Sequence, residues 1–161
     1  MSESPEMIVA LSVNGETRSS GCEARTSLGD FLREKLHLTG THFGCEHGAC
    51  GACTILFNGE PIRACLTLAA SAAAQDVVTI EGLETDSIMQ ALRTAFKAEH
   101  ALQCGFCTPG MLITARDIIV RFAGTDISED DIRRELAGNL CRCTGYQGIV
   151  RAVKCVLDAS N

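Results

Sequence analysis

Cysteine is the residue type that could do chemistry in this chain, since ten cysteines occur among 161 residues. Thiols either join as disulfides in oxidising compartments or bind metals in reducing ones. The first residues show no basic stretch followed by an apolar core, so they do not predict a secretory signal. Metal binding in the cytoplasm is therefore favoured, although a partner with a twin-arginine signal could still export a folded complex.

The first set of cysteines has the spacing C-x4-C-x2-C-x11-C and consists of Cys45, Cys50, Cys53 and Cys65. It begins like the sets that bind [2Fe–2S] clusters in plant-type ferredoxins. Gly44, Gly48 and Gly51 alternate with the cysteines. They predict an ordered loop with backbone torsions that favour glycine and with N–H groups directed at sulfur.

Structural zinc is the main alternative for this first set, because zinc also takes four thiolates. Zinc sites usually use C-x2-C pairs, and only Cys50 and Cys53 have that spacing. Cys45 and His47 resemble the start of a Rieske site, but the chain lacks the second histidine that such a site requires. His47 is therefore interpreted as a polar loop residue.

The second set consists of Cys104, Cys107, Cys141 and Cys143. C-x2-C with C-x-C is weak evidence alone, because zinc or a redox disulfide could use it. Beside a ferredoxin-type set it predicts a second [2Fe–2S] cluster. If the C-x-C stretch is extended, its two thiols point the same way and can reach one metal centre.

Apolar periodicity divides the chain near residue 82 and predicts an α+β protein. In residues 1–82, alternating apolar positions and the turns Asn14-Gly15 and Asn58-Gly59 predict strands and hairpins. One helix is expected from Leu28 to Leu36, with Thr26 as its N-cap.

Residues 83–161 carry four apolar stripes at helical spacing, which predict four helices. Thr108 is expected to cap the second of these helices, with Pro109 at its first position. Ser128 and Asp131 predict a capping box on the third. One cysteine pair then lies between the first two helices and the other between the last two, so four thiols can converge.

Several classes of function are excluded by composition. A net charge of −6, 4% aromatic residues and the lack of tryptophan argue against nucleic acid as a partner. No segment approaches the roughly 20 apolar residues that a membrane helix needs, so no membrane insertion is expected. Nucleotide-binding glycine motifs and a Ser/His/Asp set are both missing. The chain is thus expected to carry electrons and to have no catalytic residues of its own.

Three segments together resemble a known family: GCEHGACGACT at 44–54, QCGFCTPGM at 103–111 and GNLCRCTGY at 138–146. The chain resembles the small iron–sulfur subunit of the molybdenum hydroxylases, the xanthine oxidase-type enzymes, over nearly its whole length. The resemblance implies a β-grasp ferredoxin domain in residues 1–82 and a four-helix [2Fe–2S]-binding domain in residues 83–161.

The same resemblance implies function and partners. Electrons would pass from a molybdopterin centre on a large subunit through both [2Fe–2S] clusters to FAD, on a medium subunit, or to an external acceptor. Gln103 and Cys143 would lie next to the pterin, with Cys143 also binding iron. From the residues alone, a surface amide is the preferred interpretation of Gln103, and Arg142 either balances cluster charge or is solvated.

Cys22 and Cys155 match no ligand position and are interpreted as small buried residues or unreactive thiols. Two other functions stay open from sequence: a binding protein with structural zinc, and a free-standing ferredoxin or redox sensor.

Overall fold

The computed structural model describes residues 6–159, so most of the segment in which an export signal was sought lies outside the described residues. The first half contains a five-stranded mixed sheet with the spatial order β2-β1-β5-β3-β4. Its strands are β1 (Glu6–Val13), β2 (Glu16–Glu23), β3 (Thr54–Phe57), β4 (Glu60–Arg63) and β5 (Asp76–Val78). The neighbours β1 and β5 run parallel, while the other pairs are antiparallel.

Both predicted hairpin turns are present. The φ angles of Asn14 and Gly15 are 54° and 81°, and those of Asn58 and Gly59 are 51° and 87°. Positive φ at both central residues matches the twist of antiparallel strands, and Asn-Gly adopts it at little cost.

The helix of the first half begins as α1 (Leu28–Asp30) and continues as a π-helical turn over Phe31–Lys35. Its N-cap is Ser27, whose hydroxyl accepts a hydrogen bond from the backbone N–H of Asp30 at 3.0 Å. The prediction of Thr26 as the cap is therefore wrong. Both residues carry a hydroxyl, and Ser27 has the extended backbone that a cap requires.

Four further α-helices lie within the described part of the second half: α2 (Ser87–Ala98), α3 (Thr108–Arg121), α4 (Glu129–Glu135) and α5 (Tyr146–Ala159). The cap position of α3 is Cys107, so Thr108 is already helical and the predicted cap is wrong by one residue. The capping box of Ser128 and Asp131 is present as predicted. None of the helices in residues 6–159 is long and apolar enough to cross a bilayer.

Two apolar cores meet at strand β3. Ile55 belongs to the core beneath the sheet, whereas its neighbour Leu56 belongs to the core of the helices. Alternate side chains of a strand face opposite sides, so β3 contributes to both cores. The predicted α+β class is confirmed, and the domain boundary at residue 82 stays a prediction.

Candidate metal centres

The first set of cysteines lies in the loop before β3 and just after β4. Its thiols meet in two pairs: Cys45 with Cys50, and Cys53 with Cys65. The backbone N–H of Cys50 points at the Cys45 sulfur at 3.3 Å, and that of Ala52 points at the Cys50 sulfur at 3.5 Å. Such N–H groups stabilise negative charge on sulfur, as the sequence analysis predicts.

The two pairs differ in their surroundings. Backbone N–H groups, first that of His47 and then that of Cys50, lower the pKa of the Cys45 thiol to about 6. Burial raises the pKa of the Cys53 thiol to about 11, and Cys53 is 2% exposed. Cys45 thus favours the thiolate, whereas Cys53 is anchored in the core beneath the sheet. Cys50 and Cys65 are both partly exposed.

Glycine torsions shape this loop as expected. Gly48 and Gly51 have φ angles of 83° and 73°. A Cβ on Gly44 would lie 3.1 Å from the Cys50 sulfur, so the ligand sulfur approaches the backbone closely there. His47 is exposed and its ring Nδ1 lies 2.6 Å from the carbonyl oxygen of Cys45, which agrees with a polar loop residue.

The second set also meets in two pairs, Cys104 with Cys143 and Cys107 with Cys141. The backbone N–H of Phe106, followed by the Cys143 thiol, lowers the pKa of Cys104. Burial, followed by the Cys141 thiol, raises the pKa of Cys107 to about 12. In this set one pair contains the buried Cys141 and the other contains the exposed Cys104, while Cys107 and Cys143 are partly exposed.

The C-x-C stretch is a turn, so the prediction of an extended conformation is wrong. The backbone N–H of Thr144 donates to the carbonyl of Cys141 at 3.1 Å, and Thr144 has a φ of 57°. The N–H of Gly145 points at the Cys141 sulfur at 3.3 Å, and the N–H of Cys141 donates to the hydroxyl of Tyr146 at 2.8 Å. The turn directs the two thiols to different partners in the 104–107 loop.

These donor sets fit [2Fe–2S] clusters. Within residues 6–159 no three His, Cys, Asp or Glu side chains are gathered as the ligands of a single metal ion. The eight thiols instead meet in twos, and a [2Fe–2S] cluster takes two ligands on each iron. A cavity of about 620 Å³ is lined by Cys104, Cys107 and Cys141 together with the apolar Phe106 and Leu140.

The two ligand regions contact each other directly. The backbone N–H of Leu140 donates to the carbonyl of Cys50 at 2.8 Å. The ring of His42 stacks on that of Phe106 with centroids 4.8 Å apart, and its Nδ1 lies 2.8 Å from the Phe106 carbonyl oxygen. Any clusters bound here would therefore belong to one continuous structure.

Gln103 and Cys143 are brought together at the surface, where the Gln103 side-chain N–H donates to the Cys143 carbonyl at 2.8 Å. Leu102, Phe106 and Leu140 are about half exposed nearby, at 48%, 49% and 54%. Exposed apolar side chains around exposed polar groups are typical of contact surfaces. The role of Gln103 and Cys143 beside a pterin stays a prediction.

The predictions for Cys22 and Cys155 have different outcomes. Cys22 is 1% exposed, in agreement with a small core residue, whereas Cys155 is exposed, so the buried interpretation is wrong for it. Arg142 is exposed. Sequence reasoning missed Asn139, which is 2% exposed and hydrogen-bonded to the first ligand loop. Asn139 lies in the segment at 138–146 that carries the family resemblance, but its burial and its bond to the first ligand loop depend on Gly51, which the spacing of the cysteines does not reveal.

Comparison with known proteins agrees with two cluster-binding regions. A "2Fe-2S iron-sulfur cluster binding domain" family matches residues 32–95, and a "[2Fe-2S] binding domain" family matches residues 79–154. The chain is 51% identical over 150 residues to the caffeine dehydrogenase subunit gamma of Pseudomonas sp. (strain CBB1), covering 92% of this chain and 90% of the relative.

Two further similarities cover almost the whole chain. The nicotine 6-hydroxylase small subunit of Paenarthrobacter nicotinovorans is 47% identical over 158 residues, covering 98% of this chain and 92% of that protein. In the crystal structure of quinoline 2-oxidoreductase from Pseudomonas putida 86, one chain superposes with a TM-score of 0.88 at 46% identity, covering 96% of both chains.

Proposed function

Because this chain belongs to the small iron–sulfur subunits of the molybdenum hydroxylases, we propose that its eight paired cysteines hold two [2Fe–2S] clusters in series between redox centres on partner subunits. The chain is the electron-transfer subunit of an oxidoreductase complex. When bound, the clusters supply one-electron oxidation and reduction with little change in geometry.

The pairing of the thiols carries this proposal. Cys45, Cys50, Cys53 and Cys65 are assigned to the ferredoxin-type cluster, and Cys104, Cys107, Cys141 and Cys143 to the helical cluster. In each set one pair contains a buried thiol, Cys53 in the first set and Cys141 in the second, while neither thiol of the other pair is buried. The scaffold thus holds each cluster rigidly, which keeps the reorganisation on electron transfer small.

The direction of transfer follows from the family and from the surface. The helical set opens beside Gln103, Phe106 and Leu140, where the large molybdopterin-binding subunit is proposed to dock and Gln103 and Cys143 to approach the pterin. The ferredoxin-type set is proposed to face FAD, on a medium subunit, or an external acceptor. A cytoplasmic location is proposed together with these partners.

Metal analysis with cysteine variants tests the assignment. The purified chain should hold about four iron ions and no zinc, and show two EPR signals on reduction. Cys104→Ser should disturb one signal, and Cys45→Ser the other. If Cys104→Ser left both signals as they are, the division of ligands would be wrong. Zinc in place of iron would support the structural alternative instead.

Two further measurements separate the remaining alternatives. A stable complex with a large molybdenum-containing subunit on co-purification would exclude a free-standing ferredoxin or sensor. The isolated chain should show no substrate turnover, because the substrate pocket is proposed to lie on a partner subunit.

A further inference from the structure

Asn139 is a buried amide at the junction of the two ligand regions. It lies two residues before Cys141 and is 2% exposed. Buried amides keep their place only when their polar atoms are hydrogen-bonded, so the partners of this side chain show what it does.

The partners of Asn139 belong to different parts of the fold. Its Nδ2 donates to the carbonyl of Gly51 at 3.2 Å, and Gly51 lies between Cys50 and Cys53. Its Oδ1 accepts from the hydroxyl of Thr114 on α3 at 3.0 Å and from the Arg63 side chain, at the end of β4, at 3.4 Å. One carboxamide therefore ties the first ligand loop to the segment that leads into the second.

This contact leaves no room for adjustment. Gly51 has a φ of 73°, and a Cβ there would lie 2.5 Å from the Gly138 carbonyl oxygen and 2.7 Å from the Asn139 Nδ2. The N–H of Leu140 bonds to the adjoining Cys50 carbonyl at 2.8 Å. The two loops thus meet backbone to backbone, with the carboxamide beside the contact.

The partners of Asn139 do not need its carboxamide to be hydrogen-bonded. Thr114 also donates to the carbonyl of Gly110 at 3.1 Å, and the Gly51 carbonyl also accepts from the hydroxyl of Thr54 at 2.6 Å. Arg63, the third partner, also donates to the carbonyl of Gly138 at 2.7 Å, so all three partners of Asn139 would keep a hydrogen bond without it. What the amide adds is a cross-link between the loops.

We infer that Asn139 is a positioning residue for electron transfer, whose hydrogen bond to Gly51 fixes the distance between the two clusters. The inference rests on the proposed function. Electron transfer between fixed centres slows steeply with distance, so a loop displaced by a fraction of an ångström changes the rate. The amide acts through the loop that contains Gly51. Among the described residues, its hydrogen bonds go to Gly51, Thr114 and Arg63 and to none of the cysteine ligands.

The test compares two variants of the same buried network in the holoprotein. Asn139→Leu keeps the branched shape of the side chain, at a larger volume, and removes all hydrogen bonds of the amide, including the one to Gly51. Thr114→Val removes the hydroxyl's bonds to Asn139 and Gly110 and leaves the Asn139–Gly51 bond intact. The readout is the magnetic interaction between the two reduced clusters, measured by EPR as splitting or enhanced spin relaxation, which weakens with the inverse cube of distance.

We expect Asn139→Leu to keep its iron and both signals but to lose part of the interaction and to slow transfer between the clusters. Thr114→Val should lower the unfolding midpoint without changing the interaction. Equal interaction in Asn139→Leu and the parent, or an equal loss in Thr114→Val, would overturn the inference.

If Asn139→Leu fails to bind iron, Asn139→Asp decides, because it keeps the acceptor for Thr114 and replaces the donor to Gly51 with an oxygen that repels the Gly51 carbonyl. A weakened interaction in Asn139→Asp supports the inference, and an unchanged one refutes it. If the parent chain itself lacks two iron–sulfur signals, the proposed function fails first, which distinguishes the two failures.

Discussion

Replacing Gly110 by alanine sets two effects of opposite sign against each other. Gly110 lies in the first turns of α3 with ordinary helical torsions, and alanine in a helix is favoured over glycine by about 1 kcal/mol. A Cβ there would, however, come well inside 3.0 Å of the Gly51 carbonyl oxygen and to 3.1 Å from that of Ala52. Both are backbone atoms of the first ligand loop, so they cannot rotate away.

Overpacking of this kind costs about 1–3 kcal/mol, and fixed backbone neighbours place Gly110→Ala at the upper end. Subtracting the helix gain of about 1 kcal/mol leaves a net loss of about 2 kcal/mol. For a chain of this size the apparent unfolding midpoint should fall by roughly 4–8 °C. The EPR signal of the ferredoxin-type cluster should also change, because Gly51 lies between two of its ligands.

Thermal unfolding of the holoprotein followed by circular dichroism, with EPR on the reduced sample, measures both effects. Gly59→Ala is the matched control. Its φ of 87° costs roughly 1–2 kcal/mol on substitution, but nothing lies within 4 Å of the new Cβ. It should lower the midpoint and leave both EPR signals unchanged. A higher midpoint in Gly110→Ala would show that helix propensity wins and would refute the close-contact reasoning.

Three other predictions concern separate parts of the chain. Partial burial acts to raise the pKa of Asp86, but hydrogen bonds from Arg116 and the N-terminus of α2 outweigh it and lower the pKa. These bonds therefore stabilise the fold above about pH 4, and this stabilisation is lost as the pH falls through the folded-state pKa of Asp86. Urea titrations should show that Asp86→Asn is about 1–3 kcal/mol less stable than the parent at pH 7. The stability of the variant should also depend less on pH in the acid range. Tyr146→Phe removes the acceptor of the Cys141 N–H and should cost about 1 kcal/mol while shifting the reduction potential of the helical cluster alone; an equal shift at both clusters would contradict this. In the isolated holoprotein a thiol reagent should label Cys155 first, because it is exposed and not a ligand, and peptide mapping that finds another site first would count against the ligand assignment.

The sequence was most informative where chemistry constrains spacing. A plant-type cluster takes four cysteines with a characteristic sequence spacing, so the numbers of residues between Cys45, Cys50 and Cys53 predict the first ligand set without any structure. Asn-Gly turns were equally predictable, because few residue pairs adopt positive φ twice.

What could not be predicted depends on neighbours distant in sequence. The cap of α1 falls on Ser27 and not on Thr26 because residues 67–69 hold the backbone there: the carbonyl of Thr26 accepts from the N–H of Ala69, and the N–H of Leu28 donates to the carbonyl of Thr67. Asn139 acquires its role from Gly51, 88 residues away. The exposure of Cys155 could have been inferred, because Val153 and Val156 place the buried face of α5 on the other side of the helix.

Strand β3 limits how this chain can be recombined with its relatives. Ile55 and Leu56 are neighbours in sequence but serve different cores, one under the sheet and one among the helices. A chimera joined near residue 82 would combine a β3 shaped for one set of helices with helices from another parent. A chimera should therefore fold only when β3 and α3 come from the same parent. A junction near residue 82 does not meet this condition.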